Sequence, residues 1–167
     1  GLTLLVKPNY KQLTSAFENG FIVECAKGCS HSCNFCMVSG TSGKLRQAPL
    51  PEIKKSIDKC DRAILPFALN FNGLKHTDEI LDYCKESGKR AALSSVRLDV
   101  VDRDYADLLC KAGITHITTA VESYDENMLK GYRKMLDKSV ILDKLRILSD
   151  NMDSLIVYMI GNNSREN

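Results

Sequence analysis

Cys29, Cys33 and Cys36 stand in a C-x3-C-x2-C run shortly after the apolar stretch Phe21-Ile22-Val23, so three thiols gather at the end of a predicted strand. Thiolates select zinc, copper(I) or iron–sulfur clusters. A four-iron cluster held by only three cysteines leaves one iron without a protein ligand, and an open iron is a place for chemistry. Structural zinc is the competing reading. It asks for four closed protein ligands, commonly in two separated pairs, and here His31 or Cys25 would have to be the fourth. His31 falls between two ligands, where its ring competes with them for space. Cys25 sits at a strand position that points into packing. A second C-x2-C pair is missing. A disulfide framework fits less well, because seven cysteines is an odd number and no secretory apolar segment opens the chain. The pattern predicts a reduced, cytoplasmic protein.

With 167 residues, 44% hydrophobic and 26% charged, the chain has material for one core of ordinary size. A net charge of +2 gives no basic footprint of the kind nucleic-acid binding leaves. Membrane crossing is excluded on length: runs such as Leu155 to Ile160 fall far short of the roughly 20 apolar residues a span needs.

The elements that must position the thiols alternate between strand-like and helical patterns, the signature of an α/β fold around a parallel sheet. Strands are predicted at Phe21–Cys25, Ala63–Leu69, Arg90–Ser95, Ile114–Val121 and Ser154–Ile160. Between them, Pro51 opens a helix with Ile53, Ile57 and Cys60 inward. A second helix runs from Asp78, with Thr77 as cap, Ile80, Leu81 and Cys84 inward, and Gly88 past its end. Asp102 caps a third, carrying Tyr105, Leu108 and Leu109 on one face, with Cys110 at its edge and Gly113 as terminator. A fourth starts near Ser123, which with Glu126 forms a capping box, and a fifth spans Ser139–Ser149. Gly40-Thr41-Ser42-Gly43 reads as a turn. Cys60 and Cys84 read as core.

The segment Glu24-Cys25-Ala26-Lys27-Gly28-Cys29-Ser30-His31-Ser32-Cys33-Asn34-Phe35-Cys36 resembles the start of the radical S-adenosylmethionine (radical SAM) superfamily core, closest to its cobalamin-type and archaeal subgroup. Lys27-Gly28-Cys29 stands where close subgroups carry Arg-Gly-Cys. The resemblance implies a 4Fe-4S cluster on Cys29, Cys33 and Cys36, with S-adenosylmethionine on the open iron. One electron then cleaves the sulfonium to methionine and a 5'-deoxyadenosyl radical, which takes hydrogen from a substrate. Phe35 matches the aromatic before the last cysteine. Parallel α/β sheets place ligands at the carboxyl ends of their strands, so each strand end has a candidate. Leu69-Asn70-Phe71-Asn72-Gly73 replaces the family's Gly-Gly-Glu, with Asn70 and Asn72 available to the amine, while Asn72-Gly73 is equally a turn pair. Ser94-Ser95-Val96-Arg97-Leu98-Asp99 resembles Ser-x-Arg-x-Asp, implying Ser95 and Arg97 as contacts. Arg97 suits a carboxylate as a permanently charged fork, and alternatively pairs with Asp99. Ala120-Val121-Glu122-Ser123 resembles Gly-x-Glu-Ser, giving Glu122 to the amine or ribose. Arg133 then reaches the carboxylate, or with Lys134 answers the helix's negative end.

The family core is a partial TIM-type (β/α) barrel with six units, and the five strands counted here predict a barrel over residues 21–167 that is truncated after the fifth strand. Residues 1–20 read as a linker or edge segment, with Leu4-Leu5-Val6 as strand and Pro8-Asn9 as turn. The same resemblance implies an upstream cobalamin-binding domain, an electron donor of flavodoxin or ferredoxin type, and a partner chain or dimer contact over the open sheet edge. A metal-binding structural or electron-transfer domain that does not cleave S-adenosylmethionine is the alternative from another functional class.

Overall fold

The computed structural model describes residues 20–134 and 136–161. β1 (Phe21–Glu24) pairs in parallel with β4 (Ile64–Phe67), Phe21 opposite Ile64 and Glu24 opposite Phe67. β5 (His116–Glu122) pairs in parallel with β6 (Ser154–Met159). The expected middle strand is reduced to one parallel bridge between Ile64 and Ala91, followed by Val96 donating its N–H to Thr118 at 2.9 Å. That segment therefore lies between β4 and β5.

Its ladder stops for a local reason. Ile64 uses both its backbone groups on the middle segment, accepting from Ala92 and donating to Arg90. The next residue of β4 on that side is Pro66, which has no N–H to donate. Five chain segments thus stand in the order β1, β4, 90–96, β5, β6, and among the described residues no barrel closes.

Helices cover the outer face as the sequence predicts. α2 (Leu50–Asp58) buries Ile53 and Ile57, and α3 (Thr77–Glu86) buries Ile80, Leu81 and Cys84. α4 (Arg103–Lys111) buries Leu109 under an Asp102 cap, and α6 (Lys138–Asn151) buries Ile141 and Leu148. Each such apolar side chain contributes about 1.5–3 kcal/mol by leaving water. Two expected caps are corrected. Thr77 lies inside α3, with His76 at the N-cap position, and its hydroxyl turns back to the Phe71 and Leu74 carbonyls. α5 (Glu126–Gly131) is capped by Asp125, whose carboxylate accepts from Asn127 and Met128. Ser123 instead accepts from Asp125 N–H at 3.0 Å.

The cysteine loop leaves β1 and returns through a short antiparallel pair, β2 (Ala26–Lys27) with β3 (Arg46–Gln47). Between them α1 (Met37–Thr41) takes in Gly40, which the sequence assigns to a turn. Gly28 closes the neck of the loop. Its φ is +76°, and a Cβ there would overlap the backbone carbonyls of Gly43 and Lys44. All seven cysteines are free, and Cys25, Cys60 and Cys84 are buried. Among the described residues no helix is long and apolar enough to cross a membrane. The expected Leu4–Val6 strand and Pro8-Asn9 turn lie outside the described residues.

Gly28→Ala is expected to cost about 1–3 kcal/mol through its left-handed φ and the overlap with backbone. Gly40→Ala, whose Cβ would meet nothing within 4 Å, should be neutral or gain up to about 1 kcal/mol as a helix substitution. Urea unfolding of both variants checks the contrast, and equal effects would contradict the role given to the neck.

Candidate functional site

One cavity of about 810 Å³ runs along β5 and β6, from His116 and Ser154 at their starts to the strand ends under the cysteine loop, and Cys29, Cys33 and Cys36 all line it. The loop is held over this mouth from two sides. Asn34 N–H donates to the Tyr132 carbonyl at 3.0 Å, its side-chain amide donates to Gly131 at 2.6 Å, and Phe35 meets the Tyr132 ring edge-on with centroids 5.3 Å apart. Ser39 Oγ donates to the carbonyls of Cys33 and Cys36, at 3.0 and 2.7 Å, bracing the turn that carries both thiols. His31 N–H points to Cys29 Sγ at 3.4 Å.

The donor set suits a cluster better than a single ion. Three thiols from one loop line one cavity, and a cubane takes each thiolate at a different corner. Cys25 is removed as a fourth ligand. Its thiol is fully buried and donates to Val23, and burial first of all pushes its pKa up to about 12. His31 does line the cavity, and burial, then the Arg97 charge, lowers its pKa.

Among the described residues, four buried side-chain polar atoms lack a partner, and of their residues Asn70 lines the cavity. It is 6% exposed, lines the cavity, and its buried Oδ1 has no hydrogen-bond partner. Gly73 makes room for it, since a Cβ at 73 would collide with the Asn70 amide. An orphaned buried acceptor costs roughly 1–3 kcal/mol, which a partner reaching it would relieve. Asn72 is employed differently. Its amide donates to the Arg97 carbonyl at 3.0 Å and accepts from the Arg97 N–H at 3.1 Å, standing in for the ladder that Pro66 interrupts.

Glu122 and Lys134 form a buried ion pair at 2.9 Å, with side chains 11% and 6% exposed. The register slips between Ala120 and Glu122, and Glu122 has φ +73°, a conformation that costs a non-glycine residue about 1–3 kcal/mol. Lys134 Nζ spans this irregularity by also donating to the Ala120 carbonyl at 2.6 Å. Arg133, expected at the site, is exposed and outside the cavity lining. The end of α5 explains the exchange. Arg133 takes the left-handed position that glycine usually fills, with Lys134 N–H reaching back to Leu129 and Arg133 N–H to Lys130. That turn sends residue 134 inward and residue 133 outward. A helix ending Gly-Tyr-Arg-Lys carried no glycine at the turning position, so the sequence did not announce it.

Ser95 and Arg97 also line the cavity, Ser95 exposed and Arg97 half-buried. Arg97 binds Asp99 through Nε at 3.0 Å and Nη2 at 2.8 Å. Burial alone would lower the Arg97 pKa and raise that of Asp99; their mutual hydrogen bonds and charge reverse both, lifting the guanidinium and holding the carboxyl below its ordinary range.

A model of the radical SAM superfamily matches residues 23–166. The chain belongs to the radical SAM superfamily. Its fold is similar to the radical S-adenosylmethionine methyltransferase TsrM of Kitasatospora setae with cobalamin and a 4Fe-4S cluster bound, with TM-score 0.68 and 14% identity over 83% of this chain and 30% of that one. It is similar also to the cobalamin-dependent radical enzyme OxsB with aqua-cobalamin and S-adenosylmethionine bound, with TM-score 0.62 and 18% identity over 83% and 23% of the two chains. Methylornithine synthase PylB gives TM-score 0.58 and 14% identity over 89% and 48%. The chain thus spans less than half the length of each of these enzymes. No curated protein sequence matches it. The matched residues include the C-x3-C-x2-C run of Cys29, Cys33 and Cys36.

The Asp99 pKa, lowered in the fold, carries a sign. Stability from the Arg97 pair is complete above the unfolded carboxyl value and is lost as pH falls through the lower folded one. Asp99→Asn should therefore be less stable than wild type at pH 7, with the gap narrowing below about pH 4. Denaturant midpoints across pH 2–7 measure it, and a gap independent of pH would contradict the pairing.

Proposed function

We propose that the chain is the core of a radical SAM enzyme, with Cys29, Cys33 and Cys36 holding a 4Fe-4S cluster and S-adenosylmethionine lying across the mouth of the cavity. When bound, the reduced cluster supplies one electron to the sulfonium, giving methionine and a 5'-deoxyadenosyl radical that abstracts hydrogen from substrate. The observation that carries the reading is the meeting of three loop thiols with an unsatisfied buried Asn70 Oδ1 in one cavity. Asn70 accepts from the methionine amine. Glu122, presented by the slip in β5 and fixed by Lys134, faces the amine or ribose from the opposite strand end. Ser95 completes the polar lining, and Phe35 with Leu69 covers the mouth against water.

The electron comes from a small reductant of flavodoxin or ferredoxin type, and the whole operates in a reducing compartment such as the cytoplasm. A cobalamin requirement is a second element of the proposal, supported by the fold likeness to two cobalamin-bound enzymes. A partner chain or second copy over the edge of β6, which no described strand covers, is a third.

The anaerobically reconstituted protein, given dithionite, S-adenosylmethionine and hydroxocobalamin, is expected to release methionine and 5'-deoxyadenosine, and less of both when hydroxocobalamin is left out, as measured by mass spectrometry. Cys36→Ala should abolish release. Asn70→Ala should raise the S-adenosylmethionine concentration for half-maximal turnover by about tenfold, the loss of one charge-assisted hydrogen bond. Stoichiometric iron and sulfide with no product would favour the electron-transfer alternative.

A further inference from the structure

Arg97 is placed to act on the metal site rather than on a carboxylate. Two of its three nitrogens are taken by Asp99, and the third, Nη1, turns to Cys33 Sγ at 4.0 Å. The backbone on both sides is fixed. Asn72 clasps the N–H and carbonyl of Arg97, and Lys144 Nζ donates to the Asp99 carbonyl at 2.9 Å. The two side chains are 19% and 29% exposed, so the pair sits in a partly desolvated wall of the cavity with its positive end toward the thiol.

We propose that Arg97, oriented by Asp99, is a positioning residue that makes the cluster easier to reduce, by holding a fixed positive charge beside the Cys33 ligand. This rests on the radical SAM reading above. Reduction adds one negative charge to the cluster, and a cation at this distance stabilises the more negative state, the more so where water is thin. Asp99 acts in the opposite sense on the cluster while it aims the guanidinium. The two side chains therefore push the potential in opposite directions. A purely structural role for the pair would move both variants alike, because either substitution breaks the same fork.

The test is an anaerobic redox titration of the reconstituted full chain, followed by the cluster's visible absorbance and paramagnetic signal, in wild type, Arg97→Gln, Arg97→Lys and Asp99→Asn. Arg97→Gln should lower the ratio of reduced to oxidised cluster at a fixed potential by roughly tenfold, a shift of about 59 mV for one electron. Arg97→Lys should keep most of the wild-type value, and Asp99→Asn should shift it upward. If Arg97→Gln does not fold, the direction in Asp99→Asn decides. A downward or absent shift in Asp99→Asn, or an unchanged potential in Arg97→Gln, overturns the inference while leaving the cluster reading intact. Wild-type protein that takes up no iron and sulfide overturns the radical SAM reading, and the inference with it.

Discussion

The site depends on a close approach of two backbones at Gly28. A loop long enough to carry three cysteines has many conformations, and ordering each residue costs roughly 1–2 kcal/mol. Drawing its two ends together at the β2–β3 pair, with no side chain between Gly28 and the carbonyls of Gly43 and Lys44, removes most of that freedom at the neck. The far side is then fixed by Asn34 on the end of α5. With both ends held, the three thiols line the same cavity.

The second constraint is that the cavity wall concentrates polar groups the core cannot tolerate alone. Glu122 and Lys134 are buried as a pair, and removing either partner would strand a charge in low dielectric. Arg97 and Asp99 are a second pair, and Asn70 keeps one acceptor unmatched. Two backbone irregularities, the slip in β5 and the left-handed Arg133, aim these groups inward. Each such conformation costs about 1–3 kcal/mol and persists because the surrounding bonds hold it.

The sequence made the alternation of strands and helices legible because apolar spacing is set by burial, and Ile53, Ile57, Ile80, Leu81 and Leu109 all lie where periodicity put them. The cysteine loop was legible through its spacing. What stayed hidden was set by single hydrogen-bonding atoms. Pro66 cuts short the ladder to the middle segment, a consequence of which side of β4 it falls on. Thr77 and Ser123 look like caps, yet one donates backward and the other yields to Asp125. The exchange of Arg133 for Lys134 followed from a helix-terminal turn made without glycine.

The central claim is that three loop thiols hold a four-iron cluster whose remaining iron takes S-adenosylmethionine. Low-temperature electron paramagnetic resonance of the anaerobically reconstituted, dithionite-reduced protein, with and without S-adenosylmethionine, tests it most directly. The account predicts a four-iron signal whose shape changes when S-adenosylmethionine is added. A signal indifferent to S-adenosylmethionine, or zinc retained with no cluster at all, would contradict it.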